Sequence, residues 1–552
     1  MDQRSEEPVD QEPVKDETGT AGRRRVPRWA WLVGIVALFL LVAAGVTVAI
    51  IWAQVLRPAP QDAIIHLNRG DVSYGQGDLE AALAEYGEAI RIDPECAEAY
   101  LGRGNVYYDQ GDLARALAEY GRAIQLDPDY ADAYYNRGSV YYDQGDLELA
   151  VADYDQVIRL TPDDAGAYYG RGNAYCDLGD YERAIADYDR VLASNPEDID
   201  AYYNRGNAYY YQGDYVRAIA DYDRALASNP EDIGAYNGRG NAYHDRGDPQ
   251  RAIADYDRAI ALMPDVADSY FNRALVYADL GDYERAIADY DRVIALDPGY
   301  VDAYYSRGVV YAYLADYERA IADYDRTIEL DPGYADAYYN RGVIYSGLLR
   351  YEQAIADYGQ AIRLEPGYVD AYIDRGLSYA KLSDYRQAFA DLAQAIDLAP
   401  EYADAYVGRG DIFYDQGDYA LAIADYDQSI QLDPGYVDAY IDRGLAYGDL
   451  GDHERAIADF DQAIRLNPGY AGAYNNRGNV YYNRGDYDRA ISDYSTAIGL
   501  EPDTARAYCN RALAYLGKGE SDKAKADLLK VLEISDDAAL RQWATDKLAE
   551  LE

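Results

Sequence analysis

Three cysteines, three histidines and a large surplus of carboxylates are the side chains from which this chain would have to build catalysis or a metal centre. Cys96, Cys176 and Cys509 lie far apart, and an odd, scattered set predicts free thiols rather than a disulfide framework. His66, His244 and His453 are as widely separated, and no HExxH, CxxC, GxSxG or phosphate loop is present. A nucleophile then has no base within reach, so the residues point to no enzyme, no cofactor and no metal site. The many DxD strings, such as Asp153-Tyr154-Asp155, lack the glycine and terminal glutamate of a calcium loop.

One charged residue does recur with regular spacing. An arginine stands every 34 residues from Arg69 to Arg511, eight residues before a turn, and an acid stands eight residues after it. Asp153 falls opposite Arg137, Asp323 opposite Arg307, Glu85 opposite Arg69 and Asp527 opposite Arg511. A half-buried guanidinium is unfavourable unless paired, and the anion is supplied each time. The series predicts structural ion pairs rather than an anion-binding surface. On this reading Arg307→Leu is tolerated or stabilising, whereas Asp323→Ala alone destabilises.

The elements that carry these residues repeat with the same period. Thirteen prolines, Pro94 to Pro502, are 34 residues apart without a slip, the mark of one supersecondary unit copied and stacked. In residues 131–164, Tyr134, Gly138 and Tyr141 recur at helical spacing, Gly145-Asp146 interrupts, and Ala150, Tyr154, Val157 and Ile158 form a second stripe. Asp146 is placed to N-cap the second helix, and Thr161-Pro162 ends it. Folding about Gly145 sets bulky residues of one helix against small ones of the other. The Ala150 position is Ala in every copy, and the Gly138 position is Gly or, at Ala274 and Ala512, Ala. Three aromatic positions account for 36 of the 64 tyrosines, an inward stripe that reads as core.

The pattern Tyr134-x2-Arg137-Gly138-x2-Tyr141, Ala150-x3-Tyr154, Pro162 resembles the tetratricopeptide repeat (TPR), with Tyr in place of Trp and Phe and Arg in place of Leu. Fourteen copies span residues 63–538, followed by a charged segment, 539–552, that looks like the capping helix of such arrays. The resemblance implies an all-α solenoid, a right-handed superhelix of helix–turn–helix hairpins. It also implies a protein or peptide ligand on the concave face lined by first helices; in the reference copy the groove residues would be Asp132, Tyr135, Ser139, Tyr142 and Asp143. Carboxylate-clamp members hold an acidic tail with Lys and Asn, but here Asn105, Asn173, Asn207 and Asn241 have no Lys beside them. The groove positions are polar and aromatic at Asn207 and Tyr210. They turn apolar and small at Leu275, Ala278, Val309, Ala312, Val343, Ser346, Leu377 and Ala380, a strip fit for docking or for packing between neighbouring first helices.

The N-terminal region is of another kind. Residues 29–56 carry no charge and are long enough to span a bilayer, which predicts a single transmembrane helix. Arg23, Arg24, Arg25 and Arg28 precede it and Arg57 follows, so the positive-inside rule sets the polar, disordered tail 1–28 in the cytoplasm and the repeats outside. Residues 57–62, with Pro58 and Pro60, read as a stiff extended linker. Residues 1–57 hold equal numbers of acids and bases, so the net charge of −48 belongs to the repeats. Such a surface argues against nucleic acid and for basic or apolar partners. The expected function is a membrane-anchored interaction scaffold. A rigid acidic spacer without a ligand, or the same scaffold facing the cytoplasm, are the alternatives. The excess of Arg over Lys suggests a GC-rich bacterial source.

Overall fold

The computed structural model describes residues 60–551, so the tail 1–28 and the apolar segment 29–56 lie outside the described residues. Among the described residues, 29 α-helices follow one another with no strand between them. They alternate between first helices such as Ala131–Asp143 and slightly longer second helices such as Leu147–Leu160. No helix among the described residues is long and apolar enough to cross a membrane. The chain divides into two compact units, Met1–Gly238 and Arg239–Glu552.

The turn inside each hairpin is a Schellman motif. The N–H of Asp146 donates to the Tyr141 carbonyl at 2.9 Å while Gly145 adopts a φ of 78°, which costs glycine nothing. Ala315, Leu349 and Ser383 take the same left-handed conformation at φ 57°, 60° and 62°, with the same closing bonds from Asp316, Arg350 and Asp384. Three successive hairpins therefore hold a strained non-glycine residue at the turn.

An aspartate one residue past the turn caps most second helices; the Asp180 carboxylate, for example, accepts from the Arg183 N–H. In the reference copy the expected cap is not made. Asp146 and Asp418 accept no bond from their helices, and both are followed three residues on by Leu (Leu149, Leu421). In some copies with Arg there its Nε also donates to the carboxylate, 2.6 Å from Arg183 to Asp180 and from Arg217 to Asp214, while Asp78 and Asp384 cap their helices without one.

One boundary differs from the sequence reading. The first described helix is Pro60–Gly75, so it begins inside the segment expected to be extended; proline is well tolerated in a first helical turn. The closing helix, Ala538–Ala549, buries Ala544 and lays Leu540, Trp543 and Leu548 against the core of the last hairpin.

Within hairpins, close approach explains the invariant small residues. Ala82, Ala150 and Ala320 are fully buried. A Cβ on Gly104 would come within 2.5 Å of the Tyr120 ring, so the tyrosine occupies the space a side chain would need. Several buried tyrosines of the second helices send their hydroxyls to the first helix. Tyr120 donates to Asn105 at 2.9 Å, and Tyr188 and Tyr222 donate to Asn173 and Asn207 at 2.7 Å.

Candidate functional site

The residues first considered for chemistry stay apart. Cys96 and Cys176 are half-buried, Cys509 is buried, and all three are free. His66 Nδ1 lies 2.5 Å from Glu85, His244 Nε2 lies 2.8 Å from Asp279, and His453 opens the helix His453–Leu466. No cluster able to hold a metal occurs among the described residues.

The arginine series forms two-sided clamps. Arg137 Nε lies 2.7 Å from Asp153, and Arg307 grips Asp323 with Nε at 2.8 Å and a second nitrogen at 2.7 Å. The first hairpin departs from the series, since Glu85 is taken by His66 and Arg69 is exposed. In most hairpins from Arg171 onward a further contact appears that spacing alone did not reveal: the remaining guanidinium nitrogen reaches back to an aspartate of the preceding hairpin, except where Gly359, Ala393 or Ser495 stands in its place. Arg171 meets Asp155, Arg205 meets Asp189 at 2.5 Å, Arg307 meets Asp291, and Arg443 meets Asp427 at 2.6 Å. The bond to Asp187 holds the Arg171 guanidinium above its ordinary pKa. The DxD strings are thereby explained, the first acid serving its own hairpin and the second serving the next.

First helices of successive hairpins line the grooves. In the first unit, a cavity of about 360 Å³ is walled by Tyr142, Asn173, Asp177, Asn204, Asn207 and Tyr211. Tyr211 is 65% exposed and stacks on Tyr181 with ring centroids 5.6 Å apart. Asn207 thus lies in this groove while its amide oxygen accepts from Tyr222, and Tyr210 packs its ring against Tyr211 and Tyr215.

The apolar strip of the second unit is mostly drawn toward the core. Leu275 and Ala278 pack against the cluster around Tyr290, Val309 and Ala312 against that around Tyr324, and Leu377 and Ala380 against that around Leu392. Val343 is 42% exposed, and Ser346 hydrogen-bonds the Tyr358 hydroxyl. At Leu377 and Leu445 the groove position has lost its polar acceptor, and the facing core residues, Leu392 and Phe460, have no hydroxyl to satisfy. Leu377 also reaches the surface, where it lines a cavity of about 510 Å³ with Ile373, Val407 and a set of aspartates.

Those aspartates include residues that the sequence reading did not single out. Asp374 and Asp442 occupy the register of Asn136 and Asn204, one helical turn on from the groove position of Asp132. Asp374 accepts from Tyr339 at 2.9 Å, and burial raises its pKa. The signal available in the sequence was the i+4 spacing from Asp132 and its equivalents.

Family models described as tetratricopeptide repeat match residues 169–233, 237–301, 441–497, 301–334, 335–368, 369–402 and 505–537. One described as TPR repeat matches 70–111, 104–145, 138–175, 410–451 and 478–519. No curated protein sequence matches the chain. Similar solved structures include the APC/C hetero-tetramer Cut9-Hcn1, 16% identical over 84% of this chain and 97% of that one, with a TM-score of 0.42. Yeast Tom70 is 17% identical over 81% and 99%, with a TM-score of 0.39. A tetratricopeptide repeat protein from Parabacteroides merdae is 24% identical over 46% and 98%, with a TM-score of 0.36. With hairpins of one length, a glycine or alanine at each close approach, and matches running from residue 70 to residue 537, the chain belongs to the tetratricopeptide-repeat family.

Proposed function

We propose that this protein is a non-enzymatic scaffold, anchored in a membrane by residues 29–56, that receives a protein or peptide partner in the grooves lined by its first helices. The observation that carries the reading is the cavity of about 510 Å³ running over four consecutive first helices. It offers apolar surface at Ile373, Leu377 and Val407 beside polar groups that can fix a ligand's register. The array of fourteen repeats lies outside the cytoplasm, following the cations that precede the apolar segment.

A photo-crosslinking residue at Leu377, in cells, tests the groove. One dominant adduct is expected at Leu377 and none at Leu421, which is exposed on the second helix Tyr419–Leu432. A reporter fused after Glu552 tests the topology, and cytoplasmic activity there would reverse the orientation.

A second reading is a rigid acidic spacer. Residues 181–199 and 215–233 are nearly identical, which favours length over tailored sites, and the arginine clamps stiffen the joints between hairpins. A spacer gives only diffuse adducts at Leu377.

A further inference from the structure

The groove of the second unit has a chemistry of its own. Its walls are the first helices Ala335–Gly347, Val369–Lys381, Ala403–Asp415 and Val437–Asp449. Ile373, Leu377 and Val407 give it an apolar floor. Gly408 lies among them, in the register that carries Asn204, Asn340 and Asn510 elsewhere, and a Cβ there would lie 3.2 Å from Leu392 and 3.5 Å from Leu377. A second cavity of about 210 Å³ adjoins it through Asp411 and Asp442 and adds Leu445, Tyr414 and Lys381.

Neutral hydroxyls satisfy part of the carboxylate charge. Tyr402 donates to Asp370 at 2.7 Å, and Tyr426 donates to Asp411 at 2.9 Å. Asp442, half-buried, has no hydrogen-bond or ion-pair partner among the described residues. Where first-unit grooves present asparagines with a single aspartate, Asp177 or Asp109, this one presents six aspartates beside aliphatic side chains. Carboxylates held against an apolar floor are unfavourable until a cation reaches them.

We infer that this groove binds a cationic segment of a partner protein, in which arginine or lysine side chains flank apolar ones; the assignment rests on the reading of these grooves as partner sites. The basic heads meet Asp411 and Asp442 while the apolar residues lie on Ile373, Leu377 and Val407. Charge complementarity selects this occupant over an acidic tail, which the same carboxylates repel.

The protonation of the groove supports the assignment. Burial, then Asp411 and Asp438, pushes Asp442 up to about 7. Burial pushes Asp411 up to about 6 against the bond from Tyr426, with Asp415 and Asp438 raising it and Lys381 drawing it down. The other titratable groups lining this surface are Tyr339 on Ala335–Gly347, Asp370 and Asp374 on Val369–Lys381, Asp404 on Ala403–Asp415, and Tyr414 and Tyr436. Tyr470, whose own pKa Asp438 and Asp442 help to raise, approaches from the following hairpin. A bound cation favours the ionised carboxylates, so binding releases protons near neutrality and tightens between about pH 5.5 and about pH 7.5.

The test uses the full chain in detergent micelles, at about 0.15 M salt to screen diffuse attraction. The probe is a fluorescein-labelled octapeptide alternating Arg and Leu, with a Glu and Leu octapeptide as control. The Arg peptide is expected to bind and the Glu peptide is not. Asp411→Asn with Asp442→Asn weakens binding at least about tenfold. Asp129→Asn with Asp163→Asn at exposed sites of the first unit changes it less than about twofold. Calorimetry in buffers of different ionisation heat reads the proton release. Equal weakening by both double variants, or by neither, overturns the inference, as does calcium displacing the peptide with the same dependence on Asp411 and Asp442. A Leu377 adduct that persists in the Asp411→Asn, Asp442→Asn variant removes the cationic partner but keeps the groove. Absence of any Leu377 adduct removes both.

Discussion

At the scale of single residues, the arginine clamp changes what substitution should do. Asp323 is only 6% exposed, whereas the Arg307 side chain keeps some contact with water and holds a second acid, Asp291. Arg307→Leu therefore strands two carboxylates, one of them buried, and is expected to destabilise by about 3 kcal/mol. Asp323→Ala leaves Arg307 with Asp291 and is expected to lose about 1–2 kcal/mol. Chemical denaturation of both variants checks this order, which reverses the expectation from spacing alone. The reversal has a physical source: the facing of Arg and Asp within a hairpin is legible from period and turn, but their relative burial is not. The backward contact was equally hidden, although its trace was present. Arg171 reaches Asp187 sixteen residues ahead and Asp155 sixteen behind, so in a 34-residue period the two acid positions must stand two apart and appear as DxD. Asp442 carries a second prediction. Its folded pKa, about 7, lies above that of an unfolded aspartate, so the native state binds more protons and stability declines as pH rises from about 4 to about 7. Asp442→Asn should flatten that decline and stabilise by about 1 kcal/mol at alkaline pH after allowance for solvent screening. Thermal melts across the range test it, and an unchanged slope would show that Asp442 does not titrate there.

At the scale of elements, the helices and turns were the most legible part of the chain. A strict period, an aspartate after the turn and a proline after the second helix leave little freedom in where a hairpin begins and ends. Strain at the turns is where the hairpins differ. Leu349 holds φ 60° with its side chain 71% exposed, so it loses backbone freedom without gaining much packing. Leu349→Gly should stabilise by about 0.5–1 kcal/mol, the relief of left-handed strain being partly offset by glycine's freer unfolded chain. A loss of stability would mean that Leu349 packs more than its exposure suggests. Joints between hairpins differ too. Arg375 has Gly359 where Arg341 has Asp325, and a Cβ built on Gly359 lies 3.5 Å from a terminal nitrogen of Arg375. Gly359→Asp should complete the clamp and slow amide exchange in Tyr351–Leu364 and Val369–Lys381, with a gain of about 0.5–1 kcal/mol. Unchanged exchange would show that the backward contact contributes little.

At the scale of the whole chain, a net charge of −48 sets the response to salt. The pairs within and between hairpins are short and partly shielded, whereas the excess aspartates repel over longer range. Melting temperature should therefore rise between about 10 mM and about 300 mM sodium chloride; a fall would mean that screening of the clamps outweighs relief of the repulsion. The clamps have a further consequence, for how such an array changes length. Where the clamp is complete, a 34-residue unit brings one arginine and two acids, gives one acid to its successor and takes one from its predecessor. A unit spliced into a run of complete clamps, such as the stretch from Arg273 to Arg341, finds both of its debts to its neighbours already met, and leaves no buried charge orphaned on either side. Copy number in that stretch can drift by whole units with little change in stability per unit, so selection is free to set the reach of the protein separately from the chemistry of any one groove.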